Sequence, residues 1–477
     1  MTSLSPRPSR WHRTDRSLTA STLSTTSIKR NMMSNEVISY FSELFTKRPA
    51  SGLSNFNQSG LSEFKRLGIP AAKHEEWRYT RVSSLFRKDL LFLPERMEVA
   101  PQDIDSIRIP GHKEATELVF VNGVYRPGLS TIRHEAEEMA ILTLDDAAGS
   151  SADDSIGRQG GGRFAEFISG NIGHSGRYHP DGIHALNAAF SGDGVFIVAK
   201  KGKIIQRPVY IYHVSDSRKG FIFSQPRSLV HVEAGAHLRI AETYHTFGGG
   251  ESFSNEVFEI VAERDSVVDY YKIQDEGASA NHVGTTHIRQ IGKCLTNAVT
   301  VTLSGAIVRN NLNMVMEAEH GESHMYGLYL LDGKTHADNH TIVDNVMPNC
   351  YSNELYKGIM EGESTGVFNG KIFVRKDAQK TNAYQSNKNI LLGDKASAYT
   401  KPQLEIFADD VKCSHGCTVG RLDDEAFFYL RARGLGEKSA RALLLHAFAV
   451  DILEKIKLEP LRTHVDGLIS DRLEFQL

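Results

Sequence analysis

Between Ala408 and Gly420 the chain reads ADDVKCSHGCTVG, in which Cys413, His415 and Cys417 stand at every second position. Successive side chains of an extended strand point to opposite faces, so this alternation predicts a thiol, an imidazole and a second thiol on one face. Such groups ligate zinc, copper or iron. Three ligands are an incomplete set, because a closed zinc site takes four and no second Cys or His pair stands nearby. Spacing alone leaves another reading open, with Cys413 and Cys417 as small packed residues and His415 as a hydrogen-bonded one.

Other constellations carry less. The pairs His320/His324 and His336/His340 have the spacing that brings two imidazoles together on a helix, but Gly321, Gly327, Gly333 and the β-rich MYGLYLL lie among them. No HExxH run supplies a general base, so they are read as strand and corner histidines. The segment GAHLRIAE, Gly235 to Glu242, loosely resembles a cupin strand and supports an enzyme-class alternative, a metal-dependent oxygenase or isomerase, although the paired HxH is missing. Glu75 and Glu76 stand beside Trp77, Arg78 and Tyr79, which favours a salt bridge and a packing anchor over a catalytic pair. There is no GxxxxGK[ST] loop to cradle a nucleotide's phosphates. The chain is therefore expected not to be an enzyme by itself.

These residues need a frame. The chain has 477 residues, with 55 basic and 58 acidic side chains and a formal charge of −3. That length allows two or three domains, and that balance creates no field to recruit nucleic acid or an anionic membrane. Four cysteines are too few for a disulfide framework, which points to a reducing compartment and a cytoplasmic location. No apolar run approaches the roughly 20 residues that a spanning helix requires, which predicts a soluble chain. Residues 1–32 are rich in Ser, Thr and Arg, with Asp15 as the only acid. They are read as sequence upstream of a start at Met32 or Met33, or else as an organellar transit peptide.

From Asn35 to about Phe86, Val37, Tyr40, Phe41, Leu44 and Phe45 open a helical pattern, and Leu118 to Val124 suggests a short hairpin. The helical N-terminal region and its linker are placed at 33–165, the linker being the Gly- and Ser-rich Gly149 to Arg163. From about Gly194 onward short β-rich runs follow one another with scarcely a helix between them, and past Val301 their centres recur about every 14 residues. A fixed period of that kind predicts stacked coils, a β-helix core placed at 166–420, whose ends helical segments would cap. In the C-terminal helical region, 421–477, Asp423 is a predicted N-cap and Gly434 a helix stop. A longer helix from about Glu437 to Lys457 carries a stripe of Leu445, Ala449, Leu453 and Ile456, broadened by Leu444 and Phe448.

The stretch NELYKGIMEGESTGVFNGKIFVRKDAQKTNAYQSNKNILLGDKASAYTKPQLEIFADDVKCSHGCTVGRLDDEAFFYLRARGL, Asn353 to Leu435, resembles the C-terminal half of the SufB/SufD family of the SUF iron–sulfur cluster assembly system. EEWRYT (Glu75 to Thr80) and HALNAAFSGDGVFIV (His184 to Val198) extend the likeness from about residue 35 to the end. It is closer to the D type than to the B type. KCSHGCTVG occupies the place of a Glu-His-Glu run, and Tyr384-Gln385-Ser386-Asn387, read as a loop, lacks the cysteine that B-type chains carry near there.

The resemblance implies a mainly β fold, with a right-handed parallel β-helix core between N-terminal and C-terminal helical domains. It implies a scaffold role, pairing with a SufB-type subunit through core strands, and docking of a SufC-type ABC ATPase on the C-terminal helices. ATP would be bound by that partner only, and any iron–sulfur cluster would be transient and shared. His415, with Cys413 beside it, maps onto the histidine that the D chain contributes across the interface; Cys417 is less secure. A flavin and a homodimer in the partner's absence are left open.

Overall fold

The computed structural model describes residues 34–87, 90–92, 99–149 and 161–474. Two long sheets, one of eleven strands and one of ten, share the strands between them, and from Arg227–Val232 onward consecutive strands alternate from one sheet to the other. Pairing is parallel along both sheets. The exceptions are a hairpin at Phe120/Tyr125 and the pairing of Met139–Thr143 with Val195–Ala199. This is a β-solenoid. Register pairs Leu295 with Glu322, Glu322 with Tyr351, Tyr351 with Asn382 and Asn382 with Lys412, so one coil takes about 30 residues. The 14-residue spacing read from the sequence is half a coil.

Side chains at every second position turn inward, where Phe258, Ile260, Val268, Tyr270, Ile288, Met314, Met325, Val343 and Ile372 form one continuous core. The corners recur as faithfully. Asp265, His320, Asn349 and Lys380 all hold a φ near +60°, at 59°, 60°, 60° and 59°. Non-glycine residues pay roughly 1 kcal/mol for that conformation. Here it lets one corner bond to the next, as when the Asn349 N–H donates to the Gln379 carbonyl at 2.9 Å.

The helices Ser34–Thr46, Ser54–Leu67 and Gly182–Phe190 gather Phe41, Phe64 and Phe190 around Trp77, Phe86, Phe223 and Phe253. The N-terminal region is not helical throughout. Thr116–Val121 joins the ten-stranded sheet beside Val209–Asp216, and Met139–Thr143 joins the other, so this region supplies strands to the first coils. The expected hairpin turns through Asn122 and Gly123, with φ of 52° and 81°. Most of the Gly149 to Arg163 linker, and residues 1–32, lie outside the described residues.

At the other end, Asp423 caps the helix Asp424–Ala432 through its Oδ1, which accepts from the N–H groups of Glu425 and Ala426 at 2.9 and 3.0 Å. Helices Glu437–Leu453 and Glu459–Arg472 follow. They do not close the end of the solenoid as a cap, contrary to the sequence-based expectation. Leu445, Ala449, Ile452, Leu453, Ile456, Leu461, Val465 and Ile469 pack instead on the outer face of the ten-stranded sheet, against Tyr210, Tyr212, Tyr271, Val299, Leu328 and Ile359. That face is apolar, and the helical stripe is what buries it. The last two strands, Ser397–Ile406 and Lys412–Gly420, consequently pair on one side only among the described residues. No described helix is long and apolar enough to cross a membrane.

Candidate functional site

Lys412–Gly420 pairs in parallel with Asn382–Leu391, setting Ala383 beside Cys413, Gln385 beside His415 and Asn387 beside Cys417. The region around Tyr384 to Asn387, expected as a loop, is therefore a strand. Ala383, Gln385 and Asn387 are buried in the solenoid interior. One strand further on, about 4.8 Å away, Cys413 is half-buried and His415 and Cys417 are exposed. The three predicted residues do share one face. It is the core face itself, laid open because no further coil among the described residues covers it.

They do not converge on a point. Side chains two residues apart on a strand are separated by about 6.6 Å, and among the described residues the one trio of ligand atoms lying within 4.8 Å of each other is elsewhere, at His213, Glu242 and Glu256. Within a single chain His415 and Cys413 therefore form no closed ligand set, and the His415 side chain is open to the outside. Cys413 packs against the interior cluster, and burial pushes its thiol above the ordinary range. Cys294, whose thiol burial pushes up to about 12, and Cys350 are buried packing residues, and all four cysteines are free.

Behind His415 lies a polar column that sequence reading missed. Gln385 donates from Nε2 to Glu354 Oε2 at 2.7 Å, and Glu354 is the register partner of Gln385 one coil further in. Burial lifts the Glu354 carboxyl to about 7, with the hydrogen bond from Gln385 opposing it. A carboxyl raised above its unfolded value of 4.5 costs nothing below that pH and destabilises progressively as pH climbs to about 7. Glu354→Gln should match wild type near pH 4.5 and exceed it by about 3 kcal/mol above pH 7. Denaturant titrations at the two pH values check this, and equal stability at high pH would contradict it.

The rim of the open end is apolar. Tyr384, Tyr399, Ile406, Phe407 and Val419 are exposed there, Phe407 at 57%. On the following helix Phe428 and Tyr429 are exposed at 73% and 56%, and no residue of that helix is buried.

The other constellations resolve differently. His320 is a corner residue, whereas His324, His336 and His340 lie on strands. His336 Nε2 meets the Thr80 hydroxyl at 2.9 Å, and His340 faces Glu76 at 3.4 Å. EEWRYT is a strap across the eleven-stranded sheet. Trp77 is buried with the Arg309 guanidinium 4.0 Å from its ring centroid, Arg309 Nη1 donates to the Glu76 carbonyl at 2.6 Å, and Tyr79 stacks on Tyr399 at 4.8 Å. Lys401 pairs with Glu75. This is the packing anchor the sequence favoured. GAHLRIAE enters a strand paired in parallel on both sides, which removes the cupin alternative, since cupins are antiparallel jelly rolls.

Two parallel sheets wound into one solenoid, with an open core face carrying Cys and His, define a β-solenoid scaffold. Family models agree: "SufBD protein N-terminal region" matches residues 35–211 and "SUF system FeS cluster assembly, SufBD core domain" matches residues 213–448. The chain belongs to the SufB/SufD family of the SUF iron–sulfur cluster assembly system, and within it to the D type. It is 29% identical to iron-sulfur cluster assembly protein SufD of Escherichia coli, with 87% of this chain and 92% of that protein covered. It is 30% identical to an iron-sulfur cluster assembly SufBD family protein of Synechocystis sp., over 88% and 91%. It is also 29% identical to a chloroplastic protein of Arabidopsis thaliana, ABCI7, over 64% and 66%.

Proposed function

We propose that the chain works as the D-type scaffold subunit by lending its open core face to a B-type partner, so that iron and sulfide are assembled between the two chains. The supporting observation is the change from buried Gln385 to exposed His415 in one step of the strand ladder. An open ladder edge, exposed core-facing positions and an apolar rim are together what a second solenoid would cover. His415 supplies an imidazole to the shared site, with Cys413 as a second ligand once metal displaces its proton. Neutral imidazole binds iron in place of thiolate in Rieske-type centres. The cluster is substrate and product here, held in passing.

The SufC-type ATPase, which binds the ATP, docks on the helix Asp424–Ala432. The stripe of Leu445, Leu453 and Ile456 is consumed by the sheet, which leaves Phe428 and Tyr429 as the C-terminal apolar surface open to a partner. Replacing both with serine should weaken ATPase association at least 100-fold, since exposed aromatic anchors dominate such contacts. The melting temperature should stay within about 2 °C, because neither side chain is in the core. Retention of the ATPase by the double variant would remove this assignment.

The compartment is a reducing one, the cytoplasm or, if residues 1–32 direct it there, an organelle. Anaerobic co-expression of this chain with a B-type subunit and the ATPase, followed by size exclusion with light scattering, tests the role. A stable heterocomplex containing iron and acid-labile sulfide is expected, with a homodimer through the same edge when the B-type chain is left out. A chain that ignores both partners would refute it.

A further inference from the structure

Deep in the early coils, far in sequence from Cys413 and His415, His213, Glu242 and Glu256 turn toward one another inside the solenoid. All three are buried, at 8%, 0% and 1% exposure. His213 Nε2 lies 2.9 Å from Glu242 Oε1 and 3.5 Å from Glu256 Oε1, and the three ligand atoms all lie within 4.8 Å of one another. Two ligands bound to one ion at about 2.1 Å are separated by about 3.0 Å in octahedral and about 3.4 Å in tetrahedral geometry. The two separations from His213 are those of neighbouring ligands on one ion, and the shorter is also that of the hydrogen bond the metal would replace.

The surroundings orient the group. The outer oxygen of each carboxylate is already held: the Tyr270 hydroxyl donates to Glu242 Oε2, and Tyr244 and Lys272 donate to Glu256 Oε2, the lysine at 2.9 Å. The inner oxygens are thereby turned together, as outer-shell donors turn metal-bound carboxylates. Glu256 Oε1 has no hydrogen-bond partner. The His213 ring is fixed between Phe120 and Tyr244, with centroids 4.9 and 4.6 Å away. Gly284 leaves room for the ammonium, since a Cβ there would stand 2.8 Å from Lys272 Nζ.

Charge points the same way. Glu242, Glu256 and Glu276 are buried with Lys272 as the ammonium among them, and His282 lies 3.3 Å from Glu276 with neither ring nitrogen hydrogen-bonded. Ionised together, three carboxylates against one ammonium would leave two negative charges that burial makes costly, and burial beside Glu256 already lifts the Glu242 carboxyl to about 7. One divalent cation balances them.

We propose that His213, Glu242 and Glu256 form an interior site for one divalent first-row transition ion, separate from the assembly face. One nitrogen and two carboxylate oxygens suit zinc, iron(II) or manganese(II). Because the three residues come from three strands, Val209–Asp216, His237–Phe247 and Ser252–Ala262, the ion would lock successive early coils together.

The test uses the full chain carrying Cys413→Ser, His415→Ala and Cys417→Ser, so that the open face cannot contribute. The protein is stripped with EDTA, dialysed against Zn²⁺, and assayed for bound zinc and for thermal melting; Co²⁺ is then used as a spectroscopic probe. One zinc per chain is expected, with a raised melting temperature and a cobalt spectrum free of thiolate charge transfer. Glu242→Gln and His213→Gln should each weaken binding at least 100-fold and abolish the melting shift. Glu242→Gln also relieves carboxylate repulsion, so the metal-free variant is expected to melt no lower than metal-free parent. Failure of the parent to retain zinc, or retention that ignores both substitutions, overturns the site and leaves the buried charge to be balanced by protons on the imidazoles and carboxyls.

Discussion

Truncation after Gly434 is expected to yield a chain that does not fold, rather than one that has merely lost a partner. The segment removed carries Leu445, Ala449, Ile452, Leu453, Ile456, Leu461, Val465 and Ile469, all buried against the ten-stranded sheet. At about 1.5 kcal/mol or more for each large side chain, that burial amounts to about 10 kcal/mol, comparable to the whole net stability of a domain. The loss acts twice, because Tyr210, Tyr212, Tyr271, Val299 and Leu328 would then face water as one apolar sheet surface. Polar ties go as well: the Lys357 ammonium donates to the Phe448 carbonyl at 2.9 Å and pairs with Asp451, and Lys457 reaches Asp269 at 2.9 Å. Expression in inclusion bodies, or a soluble product without a cooperative melt, is the expected result. A truncated chain that melts near the full-length temperature and still pairs with a B-type subunit would contradict the packing described.

Why the helices lie along the sheet and not across its end was partly written in the strands. PVYIYHV buries both faces, with Ile211 and Val209 inward and Tyr210, Tyr212 and Val214 outward. A strand that is apolar on both faces must be covered on both. Read alone, the helical stripe said only that something apolar would cover it. The helix Glu459–Arg472 went unpredicted although Pro460 opens it and Leu461, Val465 and Ile469 recur at four-residue spacing. Coil stacking was legible because turns and strands repeat at a fixed interval, and the shared face of Cys413, His415 and Cys417 because alternation is local. The Glu354–Gln385 column and the trio of His213, Glu242 and Glu256 were not legible. Residues that touch across coils stand about 30 positions apart in a parallel solenoid, and no short motif records such a distance.

The central claim is that the exposed core face is chemical, with His415 as the residue it contributes. In the complex with the B-type subunit and the ATPase, His415→Ala should leave subunit stoichiometry and melting temperature unchanged, since the side chain is exposed in the single chain and lies outside its apolar core. Cluster formation should fall at least tenfold, because a site shared between two chains loses one of few ligands. Cys417→Ala should matter little, being exposed at the far end of the trio, and Cys413→Ala should fall between, having both a packing and a ligand role. The deciding measurement is iron and acid-labile sulfide per complex after anaerobic purification of the wild type and of His415→Ala side by side. The account predicts an intact complex with iron and sulfide reduced together at least tenfold; an intact His415→Ala complex carrying wild-type iron and sulfide would show that the histidine is not part of the site.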